Sequence, residues 1–345
     1  MATQVKTGTK QTLADKTLDM FAEMMIEKIQ NIKEDWRKPW FTDGVVTWPK
    51  NLNGRSYNGM NALMLMMHCE KEGYKIPRFC TFDCIQRLNN TKQKDTDGNP
   101  LPRVSILKGE KSFPVMLTTF TCIHKDTKER IKWSDYKEMG DEERREYNVY
   151  PALTVFRVFN VAQTNIKEAR PELYAKLETE HTPATTNKEK DFCFEPIDNM
   201  ISEQSWICPI KPTYGDEAYF SISKNVIVVP QKEQFKDGES FYSSLLHEMT
   251  HSTGHESQLG RLKPSLFGSK EYAQEELVAE LSAALVSQKY GFSKHLKEDS
   301  AAYLKSWLDS LKQDPTFIKA VLFDVKKASA ILTHHIDQMV GAEML

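Results

Sequence analysis

The chain has 345 residues, 27% of them charged and 40% hydrophobic, with a net charge of −2. That is the composition of an ordinary globular protein, longer than one typical domain. No apolar run reaches the roughly 20 residues of a membrane helix, and Met1–Gly8 lacks the apolar core of a signal peptide, which argues against a membrane or secreted protein and for the cytoplasm. Six cysteines, at 69, 80, 84, 122, 193 and 208, form no C-x-x-C pair, so reduced thiols are expected.

The near-neutral total hides an asymmetry. Residues 1–133 carry 22 Lys and Arg against 15 Asp and Glu, a balance of +7; with −2 overall, residues 134–345 carry −9. A basic front half implies an anionic partner such as nucleic acid. In chain order, residues 11–34 read as an amphipathic helix, with Leu13, Leu18, Met20, Phe21, Met24, Met25, Ile29 and Ile32 at helical spacing. Trp36-Arg37-Lys38-Pro39-Trp40-Phe41 then interleaves rings and cations where Pro39 forbids a helix interior. A glycine-punctuated loop over 49–61 leads into an apolar helix from Ala62 to Cys69.

Rings that stack on bases and cations that meet phosphates are what a single strand needs. Trp36, Trp40, Arg55, Tyr57, Asn61, Lys108 and Lys111 are the candidate contacts, and Phe79 and Phe82 are two further rings; packing in a core is the competing role for every ring. Residues 88–103 read as an exposed loop. Residues 115–123 and 152–161 read as strands, with a charged insertion over 124–148 between them. The front is therefore mixed α and β over 1–165, followed by a connecting segment over 166–191 that includes a polar linker from Glu178 to Asp191.

The remainder, 192–345, opens on a hairpin, 218–222 and 226–229, ahead of a helix carrying His247-Glu248-Met249-Thr250-His251. On a helix of 3.6 residues per turn, His247 and His251 lie one above the other and can share a metal ion. Glu248, rotated about 100° from His247, stands beside that ion, where a general base must be. Ser240 is the expected N-cap and Gly254 the expected left-handed residue past the end. A second helix, from Lys270 with Ser269 before it and Gly291 after it, offers Glu276 as third ligand and Glu280, one turn on, as hydrogen-bond partner of a ligand histidine. Glu275 is the competing third ligand. A third histidine in the metzincin pattern is ruled out because Ser257 occupies its place; His255 reads as a residue at the helix end. Tyr272 reads as packing, with a weaker claim as oxyanion donor; helices are expected at 300–311 and 317–336, and His334 and His335, near the C-terminus, read as surface residues. Zinc is the expected metal; two imidazoles and a carboxylate also suit manganese or cobalt.

The order of these motifs resembles the ArdC-type antirestriction proteins. In the front half the resemblance rests on Trp36–Trp40, Gly54–Asn61, Lys108–Lys111 and Val158–Thr164; in the back, on Leu246–His255, Tyr272–Glu280 and Tyr303–Leu308. Ser252 departs from it, standing where the family often has Trp. The resemblance implies an α+β chain in which a mixed α/β domain binding single-stranded DNA, with duplex DNA as a second ligand, precedes a zincin-like metallopeptidase domain of gluzincin type. It implies protection of incoming DNA from host restriction, with a host defence protein as a peptide substrate. The competing reading is a non-catalytic DNA-coating protein whose metal site is structural or vestigial.

Overall fold

The computed structural model describes residues 12–34, 48–91, 93–94, 97–181, 192–263, 265, 269–292, 304–313 and 316–342. Trp36 and Trp40 lie outside the described residues. Helix α1 (Leu13–Glu34) buries Leu18, Phe21, Ala22, Met25 and Ile29, the stripe its periodicity dictates. After strand β1 (Lys50–Asn51), helix α2 (Gly59–Glu72) is longer than the sequence predicts. It is buried from Ala62 to Met67, and Gly73 closes it in the left-handed conformation.

Strand β2 (Arg78–Cys80) and helix α3 (Phe82–Leu88) lead, through the predicted loop, to β3 (Phe113–His124). The insertion is more ordered than its charge suggests: it folds into β4 (Arg130–Ile131), α4 (Trp133–Glu138) and α5 (Asp141–Arg144), and Trp133 stacks on Phe120 at 4.2 Å between ring centres. Strand β5 (Tyr147–Asn160) then returns along β3 in an antiparallel ribbon that runs from Phe113↔Val158 to His124↔Tyr147. The sheet order is β1-β2-β5-β3-β4, with β1 and β2 parallel.

The corner after β5 explains two motifs at once. Asn160 gives its side-chain amide to the Ile76 carbonyl at 2.9 Å, while Gln163 bonds Glu110 at 2.8 Å and the Lys111 carbonyl at 2.9 Å, so Val158–Thr164 and Lys108–Lys111 are one structural joint. Helices α6 (Ile166–Ala169) and α7 (Pro171–Glu180) follow. The expected linker starts late: Glu178–Glu180 close α7, and His181 is buried against Arg78, whose Nε donates to its ring at 2.9 Å. Residues 182–191 lie outside the described residues.

Beyond them, helix α8 (Glu195–Glu203) precedes a three-stranded sheet of order β6-β8-β7. β7 (Tyr219–Ser221) and β8 (Val226–Pro230) form the predicted hairpin; β6 (Ile210–Thr213), parallel to β8, carries no alternation long enough to read. Helices α9 (Gly238–Ser252), α10 (Lys270–Lys289), α11 (Leu304–Gln313) and α12 (Thr316–Ala342) follow among the described residues. The largest core joins Phe21, Met25 and Leu63 of the front to Leu277, Leu281, Trp307, Val321 and Val325 of the back. Each such side chain contributes roughly 1.5–3 kcal/mol by leaving water, so the two halves are held by shared burial. Among the described residues no helix is long and apolar enough to cross a membrane.

Candidate metal centre

Helix α9 begins at Asp237, not Ser240: the Asp237 carboxylate accepts the Ser240 amide at 2.8 Å and its hydroxyl at 2.6 Å. An ionised cap at the positive end of the helix outcompetes a hydroxyl three residues on. The far end also differs from expectation. Gly254 is not left-handed; it is needed because a Cβ there would stand 2.8 Å from Leu262 and 3.0 Å from the Arg261 guanidinium. Tyr242 ties α9 to α8, donating to Asp198 and accepting from Lys232, each at 2.6 Å. Its buried ring and the Asp198 carboxylate push that phenol up to about 12.

On this helix the two imidazoles face one another, Nε2 to Nε2, at 3.1 Å. Helix α10, capped by Ser269 as expected, brings Glu276 Oε2 to 3.4 Å from His247 Nε2 and Oε1 to 3.6 Å from His251 Nε2. One donor atom from each of these three residues lies within 4.8 Å of the others. Tetrahedral coordination with arms of about 2.1 Å separates ligand atoms by about 3.4 Å, so the triangle has the dimensions of a site for one small divalent ion.

The distal nitrogens are held as well. Glu280 Oε1 lies 3.1 Å from His247 Nδ1, and Glu275 Oε1 lies 3.0 Å from His251 Nδ1. Arg261 grips Glu275 through two bonds of 2.9 Å and reaches back to the Thr250 carbonyl at 2.7 Å and the Thr253 hydroxyl at 2.8 Å. Periodicity could rank Glu275 below Glu276, but it could not find Arg261, which sits on a loop where no pattern marks a side chain for α9.

Burial opposes charge on His247, yet the Glu276 and Glu280 carboxylates hold its ring above the ordinary imidazole range. Burial likewise opposes the Glu276 anion, which His247 and His251 hold down to about 2. The pocket thus favours positive charge, the condition under which a cation replaces a proton. Glu248 is buried on α9, and its charge is felt by the His247 ring. Tyr272 packs against the large core and hydrogen-bonds Glu276. Ser252 is buried and accepts the indole N–H of Trp206, from the segment after α8, at 2.9 Å. His335, expected at the surface, is half-buried with its ring 5.0 Å from that of Trp206. His255 bonds Ser257 at 2.8 Å and lies outside the ligand triangle.

The candidate DNA contacts separate into groups. Arg55, Tyr57 and Asn61 line one cavity of about 790 Å³. Arg55 is exposed. Tyr57 meets Phe79 edge-on at 6.2 Å, and Phe79 itself is buried in the core, while Phe82 is exposed. Asn61 has a structural task that the sequence did not reveal, its amide exchanging bonds of 2.7 and 2.9 Å with the Met116 backbone. Lys108 and Lys111 are exposed on the turn at Gly109 and do not line that cavity.

Two family models match this chain: the N-terminal domain of anti-restriction factor ArdC over residues 15–159, and a zincin-like metallopeptidase over 197–321. The chain is 28% identical over 312 residues to the DNA primase TraC of Escherichia coli, covering 90% of itself but only 26% of that protein. It is 28% identical to the uncharacterized protein y4eC of Sinorhizobium fredii, covering 94% of itself and 92% of that relative. In fold it is similar to the antirestriction protein ArdC of the R388 plasmid. The metal-free structure of that protein matches at TM-score 0.64 with 24% identity, covering 93% of this chain and 98% of that one. The Mn(II)-bound structure matches at TM-score 0.63 with 23% identity, covering 94% and 98%.

Proposed function

We propose that this chain, an ArdC-type antirestriction protein built from an ArdC N-terminal domain and a zincin-like metallopeptidase domain, binds single-stranded DNA through its front half and hydrolyses a peptide bond at a divalent metal in its back half. The observation that carries the hydrolytic reading is the Nε2, Nε2, carboxylate triangle of His247, His251 and Glu276, with one further carboxylate on each distal nitrogen. His247, His251 and Glu276 would hold the ion. A divalent ion there supplies Lewis acidity to a peptide carbonyl and to water. Zinc suits this donor set, and so does manganese, the metal in one structure of the R388 protein.

The chain's own residues do the rest. Glu280 and Glu275 fix which nitrogen of each imidazole faces the ion, since a ring that donates at Nδ1 presents a lone pair at Nε2. Glu248 takes the proton of the attacking water at its carboxylate and returns it to the leaving amine. Its burial keeps that carboxylate away from bulk water, where the proton would be lost.

For the front half, support comes from the +7 balance of residues 1–133 and from Arg55 and Tyr57 at one cavity. A cytoplasmic protein acting on incoming DNA fits these features. The test combines elemental analysis of the purified chain with transfer of unmodified DNA into a restricting host. We expect about one divalent ion per chain, and protection by the wild type but not by Glu248→Gln. Protection that survives this substitution would favour the coating reading over the enzyme.

A further inference from the structure

We infer that the cavity beside Arg55 and Tyr57 is a pocket for unpaired bases of single-stranded DNA, and that helix α12 of the metallopeptidase half forms one of its walls. The inference rests on the DNA-binding reading above and assigns it a place shared by both halves. The volume, about 790 Å³, lies in the ligand-pocket range of roughly 300–1,000 Å³. On the sheet side stand Leu117 of β3 and Leu153 and Phe156 of β5; Phe323 faces them from α12. These are four of the twelve large hydrophobic side chains that stand exposed among the described residues, with Phe323 itself 55% exposed. Apolar surface gathered around one hollow marks a binding site better than apolar residues scattered singly.

Charge narrows the occupant. Three cations line the cavity, Arg55 from the front half and Lys319 and Lys326 from α12; Lys319 is paired with Asp15, so the cationic character rests on Arg55 and Lys326, and Lys327 lies 4.2 Å from the centre of the Phe323 ring. No carboxylate is among the described residues that line it. Flat apolar walls with a cationic rim suit a polyanion whose rings are free to leave the chain axis, which is single-stranded nucleic acid. In a duplex the same bases are stacked and paired, and each would have to be flipped out first.

The facing wall is fixed in place. Gly59, at the start of α2, has φ +53°, and a Cβ there would stand 3.0 Å from the Lys326 side chain and 3.3 Å from its Cα. Lys319 is tied to Asp15 of α1 at 2.7 Å. The front half therefore meets α12 backbone to backbone along the rim of the hollow, and the spacing of its walls is set by the shared core.

The test is fluorescence anisotropy of the full chain with a labelled oligothymidylate, and with the same strand annealed to its complement. Wild type should bind the single strand more tightly. Phe323→Ala should weaken that binding by about tenfold, the size of one lost base stack. Lys326→Gln should flatten the slope of log affinity against log salt by about 0.7, one phosphate contact. Lys224→Gln, the same charge change in the turn between β7 and β8, should leave the slope alone. Phe323 and Lys326 are exposed, so both variants should fold, which near-ultraviolet circular dichroism verifies. If wild type binds and both variants match it, or if duplex binds equally well, the pocket is overturned while the DNA-binding reading stands. If wild type binds no single strand at all, that reading falls and the pocket falls with it.

Discussion

Glu275 Oε1 stands 3.0 Å from Nδ1 of His251, while Glu276, the next residue of the same helix, turns its carboxylate to Nε2 of that ring at 3.6 Å. Two consecutive acids thus bracket one imidazole from opposite edges. Glu280 repeats the outer half of this arrangement at His247. The Glu275 bond to His251 resists rotation of that ring, and at His247 the Glu280 carboxylate supplies an ion-pair contact in the corresponding place.

That arrangement sets an order of metal affinities. Glu280→Gln and Glu275→Gln should each weaken metal binding by about 10- to 100-fold, as losses of outer carboxylates do, and Glu276→Gln should weaken it further. Competition against a chromophoric chelator measures all three. Full affinity in Glu275→Gln would mean that its contact with His251 is incidental.

Glu248→Gln should retain the ion, because Glu248 lies outside the ligand triangle, and should lower peptide hydrolysis by about 10²- to 10⁴-fold, the usual worth of a general base. Metal content and turnover of a generic peptide substrate, measured on the same preparation, separate the two effects. Loss of metal along with activity would recast Glu248 as part of the binding site.

Gly254→Ala should reach the site indirectly. The new methyl would press on Leu262 and the Arg261 guanidinium, and crowding of a packed region costs about 1–3 kcal/mol. Arg261 would be pushed from Glu275, so melting temperature and metal affinity should fall together. An unchanged affinity with a lowered melting temperature would uncouple the loop from the site.

His181 supplies a pH dependence away from the metal. Burial, with the Arg78 charge beside it, lowers its pKa to about 4 from the ordinary 6.5. Between those values the unfolded chain binds a proton that the folded chain resists. This contribution is intact above about pH 6.5 and is lost as pH falls towards 4, by at most about 3 kcal/mol. Urea denaturation across that window should show the decline, and His181→Gln, which keeps an acceptor for Arg78, should flatten it. An equal decline in the variant would place the titration elsewhere.

Much of this protein could be read along the chain. Helix α1, the strands β3 and β5, the β7–β8 hairpin, and both helices of the candidate metal centre follow from apolar periodicity and caps, which act within a few residues; that β3 pairs with β5 is read only from the structure. The i, i+4 pairing of His247 with His251 and the one-turn step from Glu276 to Glu280 are properties of a single helix and need no fold to be seen. Errors there were local as well: the helix begins one turn earlier than expected, with Asp237 capping the amide of Ser240, the residue expected to be the cap.

What the chain alone left open is whatever depends on two elements meeting. That Glu276 faces Nε2 of His251 and Glu275 its Nδ1 was decided when α10 packed across α9, and Arg261 joined them from a loop without periodicity. The large core joining front and back, and the hollow between the sheet and α12, bring together residues far apart in the chain, and at Gly59 α2 comes so near Lys326 that a Cβ would stand 3.0 Å from its side chain. Sequence patterns report the burial of one face; which surface buries it is set by long-range packing, and no residue carries that information by itself.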